Sequence, residues 1–207
     1  MMPDKVLIAG AGGHAKVVID ALRCAGSSAE VTVADDDTRK RGQLLLNCHV
    51  VAPIADAVSA AGAFHVAIGH NGIRARVAEQ LAGQGLRPLT VIHPRACVAG
   101  SARIGDGAFV AAQAVVAPDA VVEAGCIVNH GAIVDHDCVV EAFSHVAPGA
   151  TLGGGVRVGK QVLIGAGANI LPGVSIGDNC VVGAGAVVLN DLAPGSTYIG
   201  IPARKFK

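Results

Sequence analysis

A branched aliphatic side chain occupies every sixth position, without a gap, from Ile92 to Val188. An unbroken series of this length is not a chance pattern, and a six-residue period is typical of β-helix repeats. The chain has only four Phe, one Tyr and no Trp, so its core must consist of aliphatic side chains. The second half of the chain is therefore predicted to be an all-β solenoid.

The position two residues before each aliphatic residue is small or β-branched, from Ala96 to Ala186. Since alternate side chains of a strand point to the same face, both positions are predicted to face the interior of a coil. Glycine or a polar residue often follows the large residue, as a corner between short strands requires. We expect three hexads to form one triangular coil, and the series to give roughly five to six coils.

Before Ile92 the pattern changes to that of a small α/β domain with a parallel sheet. The predicted domains are a Rossmann-like domain over residues 1–91 and a β-helix with a C-terminal tail over residues 92–207. The predicted strands are Lys5–Ala9, Val31–Ala34, Cys48–Val51 and Phe64–Ile68, and the predicted helices are His14–Cys24, Pro53–Ala61 and Asn71–Ala82.

A glycine-rich turn, Gly10-Ala11-Gly12-Gly13-His14-Ala15, separates the first strand from the first helix. Its glycines let the backbone approach a diphosphate, whose charge the helix N-terminus favours, and Asp35 and Asp36 are placed to accept hydroxyl groups. About ninety residues supply only half of a dinucleotide fold, so a nucleotide with one base is the better ligand. The alternative is a tight turn without a ligand.

Composition excludes several classes of function. Sixteen basic and sixteen acidic residues cancel, so neither nucleic acid nor a membrane surface is an expected partner. The apolar start of the chain is too short for a signal or a membrane span, and we expect a cytoplasmic protein. Six cysteines lack C-x-x-C spacing, and we expect reduced thiols that pack as small apolar side chains, without a metal.

Several segments together resemble one family, the bacterial nucleotide-sugar acetyltransferases of the PglD type, with NeuD-type and perosamine acetyltransferases as relatives. The resemblance covers essentially the whole chain, although Gly12-Gly13 stands where some members carry Ser-Gly. The segments that carry it are GAGGHAK at Gly10–Lys16, VAIGHN at Val66–Asn71, His93-Pro94, NHGAIVDHDC at Asn129–Cys138, Phe143-Ser144-His145 and GIPARK at Gly200–Lys205.

This resemblance implies a left-handed parallel β-helix, assembled as a homotrimer with active sites between neighbouring subunits. It also implies acetyl-CoA as co-substrate and a nucleotide-linked amino sugar as acceptor. The residues that match the family's site are His136 and Asp137 for catalysis; Gly10, Gly12, Gly13, His14, Asp35, Asp36 and Asn129 for the sugar nucleotide; and His145, Gly154, Gly165, Arg204 and Lys205 for coenzyme A.

The chemistry of acetyl transfer fits these residue types. Attack on a thioester requires a neutral amine, and the imidazole of His136 is suited to accept its proton near neutral pH. Either Asp135 or Asp137 is placed to hold the second ring nitrogen. Backbone N–H groups at residues 153–155 are placed to stabilise the oxyanion. The roles of His130 and His145 stay open between the site and a subunit interface.

The sequence thus predicts N-acetylation of the 4-amino group of a nucleotide-linked 4-amino-4,6-dideoxysugar, without a covalent acyl-enzyme. Three alternatives stay open: O-acetylation of sialic acid or another sugar, a zinc-dependent activity like that of β-helix carbonic anhydrases, and non-catalytic binding of a nucleotide sugar. The nucleotide, whether UDP, dTDP or GDP, is not determined by the sequence.

Overall fold

The computed structural model describes residues 3–206. The chain divides into two compact units, and the first ends at Pro94 while the second begins at Arg95. This division lies three residues beyond the boundary predicted after residue 91.

The first unit is an α/β domain with strand order β3-β4-β2-β1-β5-β6. All pairs are parallel except β3 with β4. Its elements are β1 (Lys5–Ala9), α1 (Gly13–Cys24), β2 (Glu30–Ala34), β3 (Leu44–Leu45), β4 (Cys48–Val51), β5 (Ala63–Val66), α2 (Asn71–Gly83), β6 (Arg87–Pro88) and β7 (Val91–Ile92).

The central strand β1 is buried on both faces from Val6 to Ala9. Leu7 and Ala9 share one core cluster with Val77 and Leu81 of α2. Continuous apolar runs of this kind are characteristic of strands in covered parallel sheets. The predicted α/β class is therefore confirmed for this part of the chain.

One predicted helix of the first unit is a 3-10 helix and not an α-helix. The segment expected to be helical over Pro53–Ala61 is a 3-10 helix over Ile54–Ala60. Both of its ends are closed by bonds that span three residues, from the Asp56 N–H to the Pro53 carbonyl and from the Ala61 N–H to the Val58 carbonyl. Such bonds tighten the turn and replace the α-helical pattern. A second 3-10 helix, Thr38–Lys40, and the short strands β3 and β6 were not predicted.

The second unit consists of short strands joined by four-residue corners, with a final antiparallel pair. Its strands are β8 (Cys97–Val98), β9 (Arg103–Ile104), β10 (Phe109–Val110), β11 (Val115–Val116), β12 (Val121–Val122), β13 (Ile127–Val128), β14 (Ile133–Val134), β15 (Val139–Val140), β16 (His145–Val146), β17 (Thr151–Leu152), β18 (Arg157–Val158), β19 (Leu163–Ile164), β20 (Asn169–Ile170), β21 (Ser175–Ile176), β22 (Val181–Val182), β23 (Val187–Val188), β24 (Thr197–Ile199) and β25 (Arg204–Lys205).

Every third strand pairs in parallel, which produces the three walls of a left-handed β-helix. One wall runs through β8, β11, β14, β17, β20 and β23. Along it Val116 is opposite Val134, which is opposite Leu152, so partners are eighteen residues apart. Three hexads therefore form one coil, as the sequence predicted. The period shortens only at the last coil, where Val181 pairs with Thr197.

The inward positions form one continuous core from Ala108 to Val188. Ile92 is an exception, because it is 39% exposed while Val91 is 3% exposed. The strand that contains Ile92 is the terminal strand of one wall, and the first aliphatic residue of the series packed against this core is Val98. No helix within residues 3–206 is long and apolar enough to cross a membrane.

At four of the small inward positions the side chain is a thiol or a hydroxyl group that acts as a hydrogen-bond donor. Their side chains donate to corner carbonyls of the next coil. Three of these residues are cysteines, and they are buried as free thiols, whereas Cys24 and Cys97 are exposed. The donor–acceptor pairs are Cys126 Sγ to Glu141 O at 3.1 Å, Cys138 Sγ to Gly153 O at 3.2 Å, Ser144 Oγ to Gly159 O at 2.6 Å and Cys180 Sγ to Ala193 O at 3.0 Å.

A left-handed residue closes the corner of every hexad from Gly107 to Gly185, with φ between 55° and 74°. The conformation costs a residue with a Cβ about 1–2 kcal/mol, so glycine is favoured. The sequence analysis did not identify this position. The residues other than glycine that adopt it in the series are Gln113, Asp119, Asp137, Phe143, Gln161 and Asn179.

This corner geometry predicts the effect of a single methyl group. Gly185 has φ +66°, and a Cβ there would meet no atom within 4 Å. Gly185→Ala should therefore lower the free energy of unfolding by about 1–2 kcal/mol through backbone strain alone. Gly100 is an exposed glycine with equally open surroundings and no positive φ. Gly100→Ala should stay within about 0.5 kcal/mol of the parent in urea denaturation; equal losses in both variants would contradict the strain argument.

Candidate active site

The corner after β14 carries the sequence Asp135-His136-Asp137, and all three side chains take part in one hydrogen-bond arrangement. Asp137 Oδ2 lies 2.8 Å from His136 Nδ1. Asp135 Oδ1 accepts the His136 backbone N–H at 2.7 Å. Asp137 therefore holds the ring nitrogen in this structure, whereas Asp135 fixes the backbone that carries the ring.

Asp137 reaches the imidazole because it occupies the left-handed corner position, with φ 60°. Aspartate and asparagine adopt this conformation more readily than most residues with a Cβ. The side chains of His136 and Asp137 are 60% and 66% exposed, so the pair is accessible to a substrate. The left-handed turn thus places an open His–Asp pair on the surface of the coil.

The charges around His136 favour its protonated form. The hydrogen bond to Asp137 contributes most to a pKa of His136 above its ordinary value, and the negative charge of Asp135 adds to it. Because Asp137 binds Nδ1, the neutral ring carries its proton there and leaves the Nε2 lone pair free to accept another. The ring is therefore a stronger base than an isolated imidazole.

Gly154 lies one coil after His136 at the same corner. A Cβ on Gly154 would lie 2.5 Å from both Cε1 and Nε2 of the ring. The Gly155 N–H donates to the His136 carbonyl at 2.9 Å, which fixes the two coils in register. The structure therefore brings together His136, Asp137 and Gly154, three residues that the sequence assigned to the site.

Asn129 and His145 form a second polar pair. Asn129 Nδ2 lies 3.1 Å from His145 Nε2. The Asn129 Oδ1 accepts the His130 N–H at 2.9 Å, so its amide nitrogen is the group that faces the ring. The sequence analysis had placed Asn129 with the sugar and His145 with coenzyme A. In one chain this pair occupies a different corner from His136, with β14 between them.

In the first unit, the glycine-rich turn contains glycines of two kinds. A Cβ on Gly10, which has φ +107°, would lie 2.8 Å from Ile68 Cγ1 and 3.0 Å from the Ala67 carbonyl oxygen. A Cβ on Gly12 or Gly13 would meet no atom within 4 Å. Gly12 caps α1 without a side chain, and the half-buried His14 lies in the first turn. Packing therefore explains why residue 10 is glycine, whereas it does not require glycine at Gly12 or Gly13.

Asp35 is occupied within the protein. Its carboxylate accepts the Ala11 N–H at 2.8 Å, the Asp37 N–H at 2.9 Å and Lys40 Nζ at 2.7 Å. Burial alone would raise the pKa of Asp35, but these hydrogen bonds outweigh burial and lower it. The expectation that Asp35 offers its oxygens to hydroxyl groups differs from this geometry, in which the carboxylate fixes the glycine-rich turn.

Asp36 is the exposed member of the acidic pair, and its Oδ1 accepts the Ile54 N–H at 3.1 Å. It contributes to a cavity of about 390 Å³, whose lining also includes Gly10, Ile68, Arg76 and Gln80. A second cavity of about 310 Å³ shares Asp36 and Gln80. Both volumes fall in the range of small-molecule sites.

Arg74 is a residue of this region that the sequence analysis missed. Its guanidinium is buried and donates to the carbonyl oxygens of Ile68 and Gly69, at 3.0 and 3.1 Å, and to Asn71 Oδ1 at 2.9 Å. It lies on the buried face of α2 with Val77 and Leu81. The sequence signal was a positively charged residue, Arg74, at a position that the helical spacing places on the same face as Val77 and Leu81. Arg74 holds the loop that contributes Ile68 to the larger cavity.

The remaining residues assigned to coenzyme A have different surroundings. A Cβ on Gly165 would lie 2.5 Å from the Ala184 nitrogen, so close packing of successive coils already requires this glycine. Arg204 and Lys205 are exposed on β25, which is antiparallel to β24. Both cations therefore lie on the surface strand that ends the described chain.

Potential metal ligands come together at one place in the described chain. Atoms of Asp20, Cys24 and His93, all in the first unit, lie within 4.8 Å of one another. The spacing of Asp20 and Cys24 on a helix was the signal for it, and the sequence analysis did not use it. No such group within residues 3–206 includes His130, His136 or His145, so the zinc alternative has no complete ligand set on these histidines within one chain.

Comparisons with known proteins agree with this arrangement. Residues 5–81 match the family described as the PglD N-terminal domain. Residues 155–190 match the bacterial transferase hexapeptide family, with six repeats.

Solved structures are similar over nearly the whole chain. The acetyltransferase domain of PglB from Neisseria gonorrhoeae is 37% identical, with 98% of this chain and 100% of that chain covered and a TM-score of 0.92. The same domain in complex with acetyl coenzyme A has equal identity and TM-score, with 99% and 100% covered. PerB from Caulobacter crescentus, in complex with CoA and GDP-perosamine, is 37% identical, with 98% and 97% covered and a TM-score of 0.92.

The α/β unit, the hexapeptide coils and these similarities agree with one another. The chain belongs to the PglD-type hexapeptide-repeat acetyltransferases and is an enzyme that takes its acyl group from acetyl-CoA.

Proposed function

We propose that the protein transfers an acetyl group from acetyl-CoA to the 4-amino group of a nucleotide-linked 4-amino-4,6-dideoxysugar. The observation that carries the proposal is the exposed His136–Asp137 pair, with Nδ1 bound and Nε2 facing Gly154. The binding of CoA and GDP-perosamine by the Caulobacter relative supports this class of substrate.

In the proposed reaction the Nε2 atom of His136 removes a proton as the amine attacks the thioester carbonyl. The carbonyl oxygen becomes an oxyanion, which the Gly154 N–H stabilises in this proposal. The C–S bond then breaks, and the imidazolium returns its proton to the departing sulfur of CoA. General base catalysis contributes about 10²–10⁴-fold and one oxyanion donor about 10²–10³-fold, so the corner supplies two substantial parts of the rate enhancement.

The first unit is proposed to bind the nucleotide. The uncapped N-terminus of α1, with Gly12, Gly13 and His14, suits a diphosphate because helix N-termini carry partial positive charge. Asp36 and the adjoining cavities suit the nucleoside. Asp35 then acts on the ligand indirectly, by holding Ala11 of the turn in place.

A complete site is proposed to need a second subunit. Asn129 and His145 occupy a different corner of the coil from His136, so one chain alone does not join the two pairs. On either side of the His136 corner, the outward positions of the walls are apolar and half-buried, at Ile133 and Val139. A trimer that buries these walls would place one subunit's His136 near a neighbour's Asn129–His145 pair.

The same assembly is proposed to hold coenzyme A along the coils. Gly154 contacts its thioester, and His145 lies at the neighbouring side of the site. The other proposed contacts are Gly165, Arg204 and Lys205, and the two cations suit the phosphates of the coenzyme.

The proposed substrate class predicts the product. Incubation with acetyl-CoA and UDP-, dTDP- or GDP-linked 4-amino sugars should give, by mass spectrometry, one nucleotide sugar heavier by a single acetyl group. His136→Ala should lower turnover by about 10²–10⁴-fold without loss of the assembly. Acetylation of free sialic acid alone would instead establish O-acetylation, and undiminished turnover of the variant would remove His136 as the base.

The contact between Gly154 and His136 predicts a loss of activity without a loss of stability. Gly154→Ala should displace the exposed ring and lower kcat by about 100-fold, since small displacements of catalytic groups are costly. The melting temperature should change little, because Ala112, Ala124, Ala166 and Ala184 occupy the same hexad position at other corners. In a His136→Ala background the same change should cost little further, and additive losses would contradict the steric explanation.

The hydrogen bond of Asp137 predicts a shift in the pH profile. The neutral ring is the base, so kcat/KM should rise with pH through the pKa of His136, which Asp137 holds above its ordinary value. Asp137→Asn should lower this pKa and move the acidic limb to lower pH, with reduced maximal activity. Asp119 has the same φ of 60° one coil earlier, beside Pro118, so Asp119→Asn is the matched control and should leave the profile unchanged. An unmoved limb in Asp137→Asn would contradict the assignment.

A further inference from the structure

The Gly154 N–H belongs to the peptide group between Gly153 and Gly154, and two glycines impose little preference on the orientation of that peptide. Residues 153–155 are three consecutive glycines, and a different structural reason accounts for glycine at each position. A Cβ on Gly153 would lie 2.8 Å from the Pro172 ring, Gly154 faces the His136 ring, and Gly155 has φ +71°. Glycine populates many backbone conformations, so neighbouring hydrogen bonds must orient the peptide between residues 153 and 154.

Two donors hold the carbonyl of that peptide. Gly153 O accepts the Val156 N–H at 3.3 Å and the Cys138 thiol at 3.2 Å. In a planar trans peptide the C=O and the following N–H point in opposite directions. Cys138 is fully buried, so the bond draws the Gly153 carbonyl toward the coil interior and turns the Gly154 N–H outward, to the side that carries His136.

The outward N–H of this hexad position differs from corner to corner. Side-chain oxygens accept it at four corners, and proline removes it at three others. Gly154 is among the remaining corners, where no group in residues 3–206 accepts the N–H, and it is distinguished by the adjacent His136 ring. The four satisfied N–H groups are those of His130, His136, Ala142 and Lys160, and the prolines are Pro118, Pro148 and Pro172.

We propose that Cys138 is a positioning residue, whose buried thiol holds the Gly153 carbonyl inward and so directs the Gly154 N–H at the oxyanion. This inference rests on the proposed function. Burial raises the pKa of the Cys138 thiol, which stays protonated and able to donate. The coil does not need a thiol there, because other hexads carry alanine at the equivalent position, as at Ala120 and Ala150.

The test compares two buried cysteines in equivalent positions. Cys138→Ala should lower kcat about tenfold, because the freed peptide points its N–H at the oxyanion for a smaller fraction of the time. KM for acetyl-CoA and the pH profile should stay unchanged. Cys138→Ser should restore kcat, since Ser144 makes the equivalent bond to Gly159 O at 2.6 Å. Cys126 donates to Glu141 O at another corner, so Cys126→Ala is the matched control and should retain full kcat.

The outcomes separate this inference from the proposed function. Unchanged kcat in Cys138→Ala, equal losses in the two alanine variants, or no recovery with serine would each overturn the positioning role. The parent enzyme must acetylate a nucleotide amino sugar and depend on His136 in the same assay; failure there would overturn the proposed function instead. Melting temperatures of Cys138→Ala and Cys126→Ala identify any loss that comes from unfolding.

Discussion

The parallel hydrogen bonds between successive coils are the constraint on which the second unit depends. They pair residues eighteen positions apart, from Val116 to Val134 to Leu152, and so stack equivalent corners directly on one another. Gly154 lies over His136 for this reason, although the two are distant in sequence. A helix or a single hairpin would supply no such stacking. The contact between His136 and Gly154 therefore depends on the register between coils, whereas a local motif gives only the residues of one coil.

The left-handed corner residues carry backbone strain, and at one corner this strain coincides with a side-chain interaction. Each corner needs one left-handed residue, and glycine would be the least strained choice. At Asp137 a carboxylate takes that position beside His136, so the backbone strain occurs where the side chain orients an imidazole ring. Asp119 shows that the backbone tolerates aspartate one coil earlier, where no histidine precedes it. The His136–Asp137 pair therefore uses a backbone position that the fold already provides.

The sequence predicted the coils, their inward positions and the corner location of His136 because these follow from a strict period. It did not show that Ile92, at the start of the series, is 39% exposed, since a period does not show where the core closes. It also missed the bond of Asp35 to the Ala11 N–H and the pairing of Asn129 with His145. These contacts join residues 24 and 16 positions apart through side chains, and hydrophobic patterning contains no information about them.

Glycines show most clearly why a motif does not settle a mechanism. Gly165 is required because the next coil lies against it, and Gly10 because Ile68 and the Ala67 carbonyl do. At Gly154 the neighbouring group is the side chain of His136, the proposed base, so a methyl group there would displace the ring and leave the coil intact. Only the identity of the neighbouring atoms separates packing from function. The resemblance assigns both Gly154 and Gly165 to coenzyme A. In the structure, the His136 ring restricts residue 154 to glycine, whereas the backbone of the next coil restricts residue 165.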